Sequence, residues 1–433
     1  MTEDGRWTPF SDLLREFFAS GRFANAVSLA IVGTAFANFA VLRVMDWPGL
    51  GGALATLVAA AVASFVARRD RIRLHGLLPV SLLVFVGWCA ISAAWSTNHG
   101  TTLASVLYQC SWAFLAIYLA LVRDTIQVVR VVGDVLRFLL SASLALEVFS
   151  GLISSQPVHY LGVSGTIAQL GPIQGIFGTR NALALVSVIA IVTFFVEWRT
   201  RTVRQPVAFA SILLALASVG LSRSPVALVV LAIVAVSALF LWLLRSIRSE
   251  GARFATQLVL AVVTIAVGVT AWLFRDQIIA LLDARGPLVV RHRLWIHMWV
   301  LIKERPLTGW GWTGLWRGDE LPYSIVNALS DLPHPTGLNA YLDVLLQLGV
   351  AGILIFGVMI VLALGRSWLV ASNKRNIIHV WTPLVLIALL ATSATESSIL
   401  VDYGWVMLVI CTVNASQNMS WRSALPRTAR PLR

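Results

Sequence analysis

The residues best suited to chemistry in this chain are arginines and histidines that lie apart from its basic clusters. Arg223 sits in Leu221-Ser-Arg-Ser-Pro225, Arg180 in Gly178-Thr-Arg-Asn181, and Arg291 and Arg293 in Arg291-His-Arg-Leu-Trp295. A guanidinium keeps its charge at any working pH and gives a phosphate two parallel hydrogen bonds, so this set suits a diphosphate. Each charge-assisted bond contributes roughly 1.5–3 kcal/mol, and more where charge develops on a leaving group. His334, in Asp331-Leu-Pro-His-Pro-Thr-Gly337, has the imidazole chemistry of a general base near neutrality; His292 and His297 are its rivals. The acids Asp276, Asp283, Asp319, Glu320 and Asp331 are scattered and read as solvated. No Asp-x-Asp or His-Glu-x-x-His spacing accompanies them, so the expected chemistry uses neither a metal nor another cofactor.

These residues need a frame, and the composition says which. Of 433 residues, 58% are apolar and 12% charged, which excludes an ordinary soluble domain and points to an all-α polytopic membrane protein. A hydrocarbon core roughly 30 Å thick takes about 20 helical residues. Twelve apolar runs fit, near 24–43, 50–67, 76–95, 103–122, 131–153, 180–196, 206–221, 225–244, 256–274, 338–364, 377–394 and 402–415. Cys89, Cys110 and Cys411 fall in apolar runs without paired spacing, so no disulfide framework is expected. The N-terminal residues carry acids and no apolar leader, so no cleaved signal is read. Residues 9–18 form either an amphipathic helix on the membrane or a disordered tail.

The net charge of +13 reports topology rather than nucleic-acid binding. With the N-terminus inside and strict alternation, 23 of 33 basic residues fall on the cytoplasmic side, at least three in every piece. The ten left over are Arg43, Arg180, Arg223 and seven in the polar interval between the ninth and tenth runs. The expected division is a cytoplasmic segment 1–23, nine spans over 24–274, an extracytoplasmic catalytic loop 275–337, three spans over 338–415 and a basic cytoplasmic tail 416–433. A basic residue on the outer side opposes the topology signal, so Arg180 and Arg223 either snorkel at the interface or bind an anion.

Within the loop, residues 288–304 place Leu288, Arg291, Trp295, Met298 and Ile302 on one helical face. The helix is expected to stop at Arg305-Pro306, before the Gly/Trp turn Gly309-Trp-Gly-Trp312. Those tryptophans suit an interfacial belt or a surface that stacks on sugar rings. Glu147, in the fifth run, reads as the one clear intramembrane charge, either paired with an arginine or catalytic.

Several short patterns occur in a telling order. They are Ser222-Arg223, Thr179-Arg-Asn-Ala-Leu-Ala184, Arg291-x-x-x-Trp295, Pro306-Leu-Thr-Gly-Trp-Gly311, and Asn339-Ala-Tyr-Leu342 running on to Gly349 and Gly352. Over roughly residues 170–400 the chain resembles the O-antigen ligase family, which also includes exopolysaccharide and lipid-linked oligosaccharide polymerases. The resemblance implies a metal-independent, inverting glycosyltransferase of the bacterial inner membrane. Its donor would be a glycan on undecaprenyl diphosphate, and its acceptor a lipid or glycan hydroxyl on the outer face. It also implies Arg223 and Arg291 at the diphosphate and a histidine base; the mechanism expected on that basis adds Arg180 and Arg293 as second-line contacts and Trp295, Asn339 and Tyr341 as substrate-binding residues. The family's histidine directly precedes the asparagine; here Leu338 stands there and His334 lies four residues earlier. Residues 341–349 are close to polymerases of secreted polysaccharides, and ligase and polymerase stay open. A transporter or flippase of a lipid-linked sugar is the competing class; it would show charged spans, broken helices at midplane and pseudo-symmetric halves, and no internal repeat is evident.

The topology is testable by single-cysteine labelling in spheroplasts. An impermeant reagent should reach a cysteine at position 318 and not one at position 249; the reverse pattern would overturn the assignment.

Overall fold

Lipid leaves a chain of this composition little choice, because a backbone in hydrocarbon must satisfy its own polar groups. The structure, a computed structural model, describes residues 10–69, 79–154, 156–169, 171–247, 249–281, 285–330 and 333–418. Asp283, Asp331 and almost all of the expected basic tail lie outside the described residues. Among the described residues the fold is all helical, with a single isolated bridge between Val158 and Val163.

Helix α1 (Phe10–Ala19) turns Leu13, Leu14 and Phe17 outward, which is the amphipathic form of the 9–18 segment. Helices α2 (Gly21–Phe36) and α3 (Asn38–Ala67) follow, and α3 is broken at Asp46, whose φ is 52° beside Pro48. The chain doubles back there. At the far end of α3, Ser64 Oγ donates to Phe18 O (3.1 Å) and Arg68 Nη2 to Ser20 O (2.7 Å), beside the start of α2. The bundle continues with α4 (Val80–Ile91), α5 (His99–Val122), α6 (Thr125–Val148), α7 (Arg180–Thr200), α8 (Gln205–Ser222), α9 (Pro225–Ser246) and α10 (Glu250–Leu273). The polar interval holds α11 (Arg275–Leu281), α12 (Arg285–Glu304) and α13 (Tyr323–Ser330), and α14 (Ala340–Asn373), α15 (Trp381–Thr392) and α16 (Asp402–Asn418) complete the fold. Among the described residues, eight helices are long and apolar enough to cross a membrane, with three shorter apolar helices at Gly21–Phe36, Val80–Ala94 and Ile377–Thr392.

The ends of these helices sort into two groups. At one end, Arg123 Nη2 donates to Gly21 O (3.2 Å) and Arg245 Nη1 to Ala371 O (3.3 Å). At the other, the polar interval folds over the α4–α5 turn: Arg305 Nη1 donates to Trp95 O (3.3 Å), and Trp312 N to Ser92 Oγ (2.9 Å). Glu320, expected to be solvated, instead accepts from Thr101 Oγ1 at 2.6 Å. Glu147 is also not the one buried charge. Glu197 and Asp343 are fully buried as well, Glu197 paired with Arg137 between α6 and α7. Period and hydropathy do not reveal them, because each lies at a helix end beside partners from other helices.

The feature that fixes the polar interval is a break in α14. Gly349 adopts φ 68° and ψ −169°, a region open essentially to glycine, which interrupts the helical hydrogen bonds around it. The Pro306–Gly311 turn supplies the missing partners. Trp310 N donates to Leu346 O (3.1 Å) and Gly311 N to Gln347 O (2.9 Å), while Val350 N donates to Pro306 O (2.8 Å) and Ala351 N to Leu307 O (3.3 Å). A Cβ on Gly349 would overlap the Leu307 carbonyl, and one on Gly309 would overlap the Gln347 carbonyl. Gly349→Ala should therefore lower the thermal midpoint of the purified protein. The strained backbone alone costs about 1–3 kcal/mol. Gly357→Ala, on the same helix with open space around it, should leave the midpoint unchanged or raise it. Equal midpoints for the two variants would remove the break as a structural anchor.

Candidate functional site

Three helix starts and one short loop meet at the end of the bundle that carries the polar interval. Thr179 Oγ1 accepts from Ala182 N (3.1 Å) and so caps α7, leaving Arg180 and Asn181 in its first turn. Arg223 ends α8 in a left-handed conformation (φ 47°), and Ser224 caps α9 through Ala227 N (3.3 Å), with Pro225 pre-set for the first turn. Helix α12 buries Arg291, Leu294, Met298, Leu301 and Ile302 along one face. Between α15 and α16, the polar run Ser393-Ala-Thr-Glu-Ser-Ser398 carries Glu396.

One carboxylate joins these pieces. Arg291 Nη2 donates to Glu396 Oε1 at 2.7 Å, and Arg291 Nε to Thr395 O at 3.0 Å. Asn181 Nδ2 donates to the same Glu396 oxygen at 2.6 Å, and Ser224 Oγ donates to Asn181 Oδ1 at 2.7 Å. The chain Ser224–Asn181–Glu396–Arg291 thus ties α7, α9 and α12 to the 393–398 segment. Burial pushes the Glu396 carboxyl above its ordinary range, and the Arg291 charge and the bonds from Asn181 and Arg291 pull it back.

The arginines around this node differ in their commitments. Arg291 is buried and held by Glu396 and Thr395. Arg223 is exposed and Arg180 half-buried, and no hydrogen bond or ion pair joins either side chain to a described residue. Their neighbours Ser224 and Asn181 are hydrogen-bonded to each other, so the two arginines flank one contact. Arg293 lies on the exposed face of α12 together with His292.

A second carboxylate, Asp343, locks the loop above this node. It accepts from Ser397 Oγ (2.5 Å), Trp316 Nε1 (2.6 Å) and Gly337 N (2.8 Å). Asn339 caps α14 by accepting from Tyr341 N (3.0 Å) and Leu342 N (3.1 Å), and its Nδ2 donates to Ala394 O. Tyr341 OH donates to Leu390 O (3.0 Å), and Trp295 Nε1 to Gly337 O (3.0 Å). These three residues therefore brace the α14 start, the α15 end and the 333–338 strap through their own hydrogen bonds.

His334 lies on that strap. Its backbone N–H donates to Asn327 Oδ1 of α13 (3.0 Å), and the next residue's carbonyl, Pro335 O, accepts from Trp316 N (2.8 Å). The imidazole Nε2 is buried without a hydrogen-bond partner among the described residues. Burial holds the His334 pKa below its ordinary value, which favours the neutral ring. No hydrogen bond among the described residues links His334 to Arg291 or Arg223.

Glu147 shows no arginine partner among the described residues. It accepts from the backbone of Gly165 (3.1 Å), Gln174 (3.2 Å) and Gly175 (2.9 Å), which pins these three residues beside α6. The residues missed by sequence reasoning are Glu396, Asn181 and Ser224. A signal existed: Glu396 is a single acid in the short polar gap between the last two apolar runs, on the side that topology assigns to the leftover arginines.

The Arg291–Glu396 pair makes a stability prediction. Removing one partner of a buried pair strands the other charge and costs about 3–5 kcal/mol at full burial, less at this partly open site. Arg291→Met should lower the thermal midpoint, and Arg291→Met/Glu396→Gln should recover part of the loss. A double variant no better than the single one would show that the pair is not coupled.

No curated protein matches the chain. Residues 210–357 match the family model described as O-antigen ligase, a span that contains Arg223, Arg291, His334, Asn339 and Tyr341 and is narrower than the 170–400 resemblance. That segment is similar to the O-antigen ligase family.

Proposed function

We propose that this protein is a membrane glycosyltransferase that moves a glycan from undecaprenyl diphosphate to an acceptor hydroxyl at the outer face of the bacterial inner membrane. The observation that carries this reading is the gathering of Arg180, Arg223 and Arg291 around one hydrogen-bonded node, inside or beside a segment matching O-antigen ligases. A family of this kind implies glycosyl transfer and a lipid-linked donor, and membrane-spanning helices supply the setting.

In this mechanism the diphosphate lies against Arg223 and Arg180, whose guanidinium groups have no partner among the described residues. Arg291 forms the floor of the site, with Glu396 fixing its orientation. Arg293 is positioned to meet sugar or phosphate groups from the exposed face of α12. His334 takes the proton of the acceptor hydroxyl on its unpartnered Nε2. The acceptor oxygen then bonds to the anomeric carbon from the face opposite the diphosphate. The carbon–oxygen bond to phosphate breaks with both electrons leaving on the diphosphate, and the anomeric centre inverts. Stabilising that leaving charge at fixed donors is where binding turns into rate.

The decisive experiment incubates purified protein with a lipid-linked glycan and candidate acceptors and identifies the product. Lengthened glycan means a polymerase, glycosylated lipid a ligase, and neither removes the reading. Arg223→Ala should abolish transfer in a folded protein, and Arg223→Lys should rescue poorly because an ammonium cannot form the two-pronged contact. His334→Ala should slow transfer by roughly two to four orders of magnitude without weakening donor binding. Because burial lowers the His334 pKa, the rate should rise with pH through a midpoint below ~6.5, the ordinary imidazole value. A midpoint well above that value, or a dead His292→Ala beside an active His334→Ala, would move the base onto α12.

A further inference from the structure

Beside the arginine node lies a pocket that the transfer reading leaves unused. It has a volume of about 280 Å³, close to the lower bound of ~300–1,000 Å³ typical of small-ligand sites. Its walls come from the α3 break, the outer turns of α5, the 312–317 turn and the start of α16. Trp47 and Tyr108 lie edge to face in the lining (ring centroids 5.9 Å apart), which Trp112, Trp312, Trp316 and Trp405 also join, so aromatic rings are prominent in it. Trp47 is about half exposed (52%), which leaves a ring face open to an incoming ligand, whereas Trp312 and Trp405 are buried.

Polar groups are set into this aromatic shell. Tyr108 OH donates to Asp402 Oδ1 (2.5 Å), which fixes both at the pocket wall, and the exposed Arg317 stands at its rim. Gln109 is the informative residue. It is 3% exposed, it lines the pocket, and neither its amide oxygen nor its amide nitrogen has a hydrogen-bond partner among the described residues. A buried amide that is left open at both atoms is costly, by the desolvation of two polar groups. A ligand that brings both a donor and an acceptor beside an apolar face removes that cost.

Sugars have that combination. A pyranose presents C–H groups on its faces, which pack against aromatic rings, and hydroxyls around its edge that both donate and accept. An acyl chain would fill the aromatic shell but leave the Gln109 amide unsatisfied. The pocket also adjoins the candidate transfer site. Trp316, at its wall, donates to Asp343, whose other oxygen holds Ser397 next to Glu396, and the same segment continues through Leu400 and Val401 into the pocket lining. We propose that this pocket is a sugar-binding subsite, which holds one ring of a glycan whose reacting end lies at the arginine node. The second half of that statement rests on the glycosyl-transfer reading; the first does not.

The test separates the two. Purified protein in lipid nanodiscs is titrated with maltotriose, cellotriose and mannotriose, and with decanol as the apolar probe, while tryptophan fluorescence is followed. At least one trisaccharide should quench saturably. Gln109→Leu should weaken that binding about ten-fold, and Trp47→Ala should reduce both the quench and the affinity. In the transfer assay Gln109→Leu should raise KM for glycan several-fold with kcat nearly kept, an effect that a purely structural loss would not confine to KM. Saturable binding of decanol alone, or no binding by any trisaccharide, overturns the subsite. Sugar binding in a protein that transfers nothing leaves the subsite standing and removes the transfer reading. Transfer with an unchanged KM in Gln109→Leu does the opposite.

Discussion

A broken helix in a membrane must have its open backbone closed by something, and here that requirement organises the end of the molecule that carries the polar interval. Gly349 interrupts α14, and the Pro306–Gly311 turn returns from the polar interval to take up two freed carbonyls and two freed N–H groups. Once that turn is docked, the rest of the interval has little freedom. The chain before it must lead back from α12, which carries Arg291; the chain after it must place Trp312 over Ser92 and Trp316 against Asp343. A single backbone discontinuity thus sets where an arginine-bearing helix and an aromatic pocket lie relative to the bundle.

Two carboxylates complete the arrangement, Asp343 buried and Glu396 half-buried, and they do different jobs. Asp343 accepts from three segments far apart in sequence and works as a fastener. Glu396 accepts from a guanidinium and a side-chain amide and so decides which arginines are committed. The break in α14 also bears on the transporter alternative. It lies nearer the start of the helix than its end and is filled by a loop of the same chain, so the open backbone there is already occupied. Glu197 and Asp343 do put charge inside the bundle, but each is paired or hydrogen-bonded where helices end.

How much of this was legible in the residues depended on the range of the interaction. Apolar run length follows from bilayer thickness, so the helices appeared where hydropathy placed them, and the 288–304 face reappears as the buried stripe of α12. Positive residues outside their expected side drew attention to Arg180, Arg223 and Arg291, because the topology signal is a property of the whole chain. The motifs Pro306–Gly311 and Asn339–Gly352 could be read separately, but not as one interlocked unit, since backbone pairing across that distance leaves no periodic trace. Glu396 was missed for a related reason. A lone acid between two apolar runs has no local pattern, and its meaning appears only when Arg291 and Asn181 arrive beside it. Asn339, Tyr341 and Trp295 drew notice as motif residues, and their hydrogen bonds now account for that notice structurally, as cap, brace and latch.

The charge balance of the node links its structure to the proposed chemistry. Glu396 neutralises one guanidinium, and the one it takes is the buried one, Arg291, which would otherwise be the costliest to leave uncompensated. Arg180 and Arg223 are left with no carboxylate among the described residues, at adjoining helix ends whose neighbouring side chains are already fixed to each other. Two positive charges without a counter-ion among the described residues can recruit an anion, and an anion carrying more than one charge benefits from both. A departing diphosphate is such an anion, and its charge is greatest as the glycosidic bond breaks. Donors that meet this charge more strongly as it develops favour the transition state over the bound substrate, which is the condition for accelerating the step rather than only tightening binding.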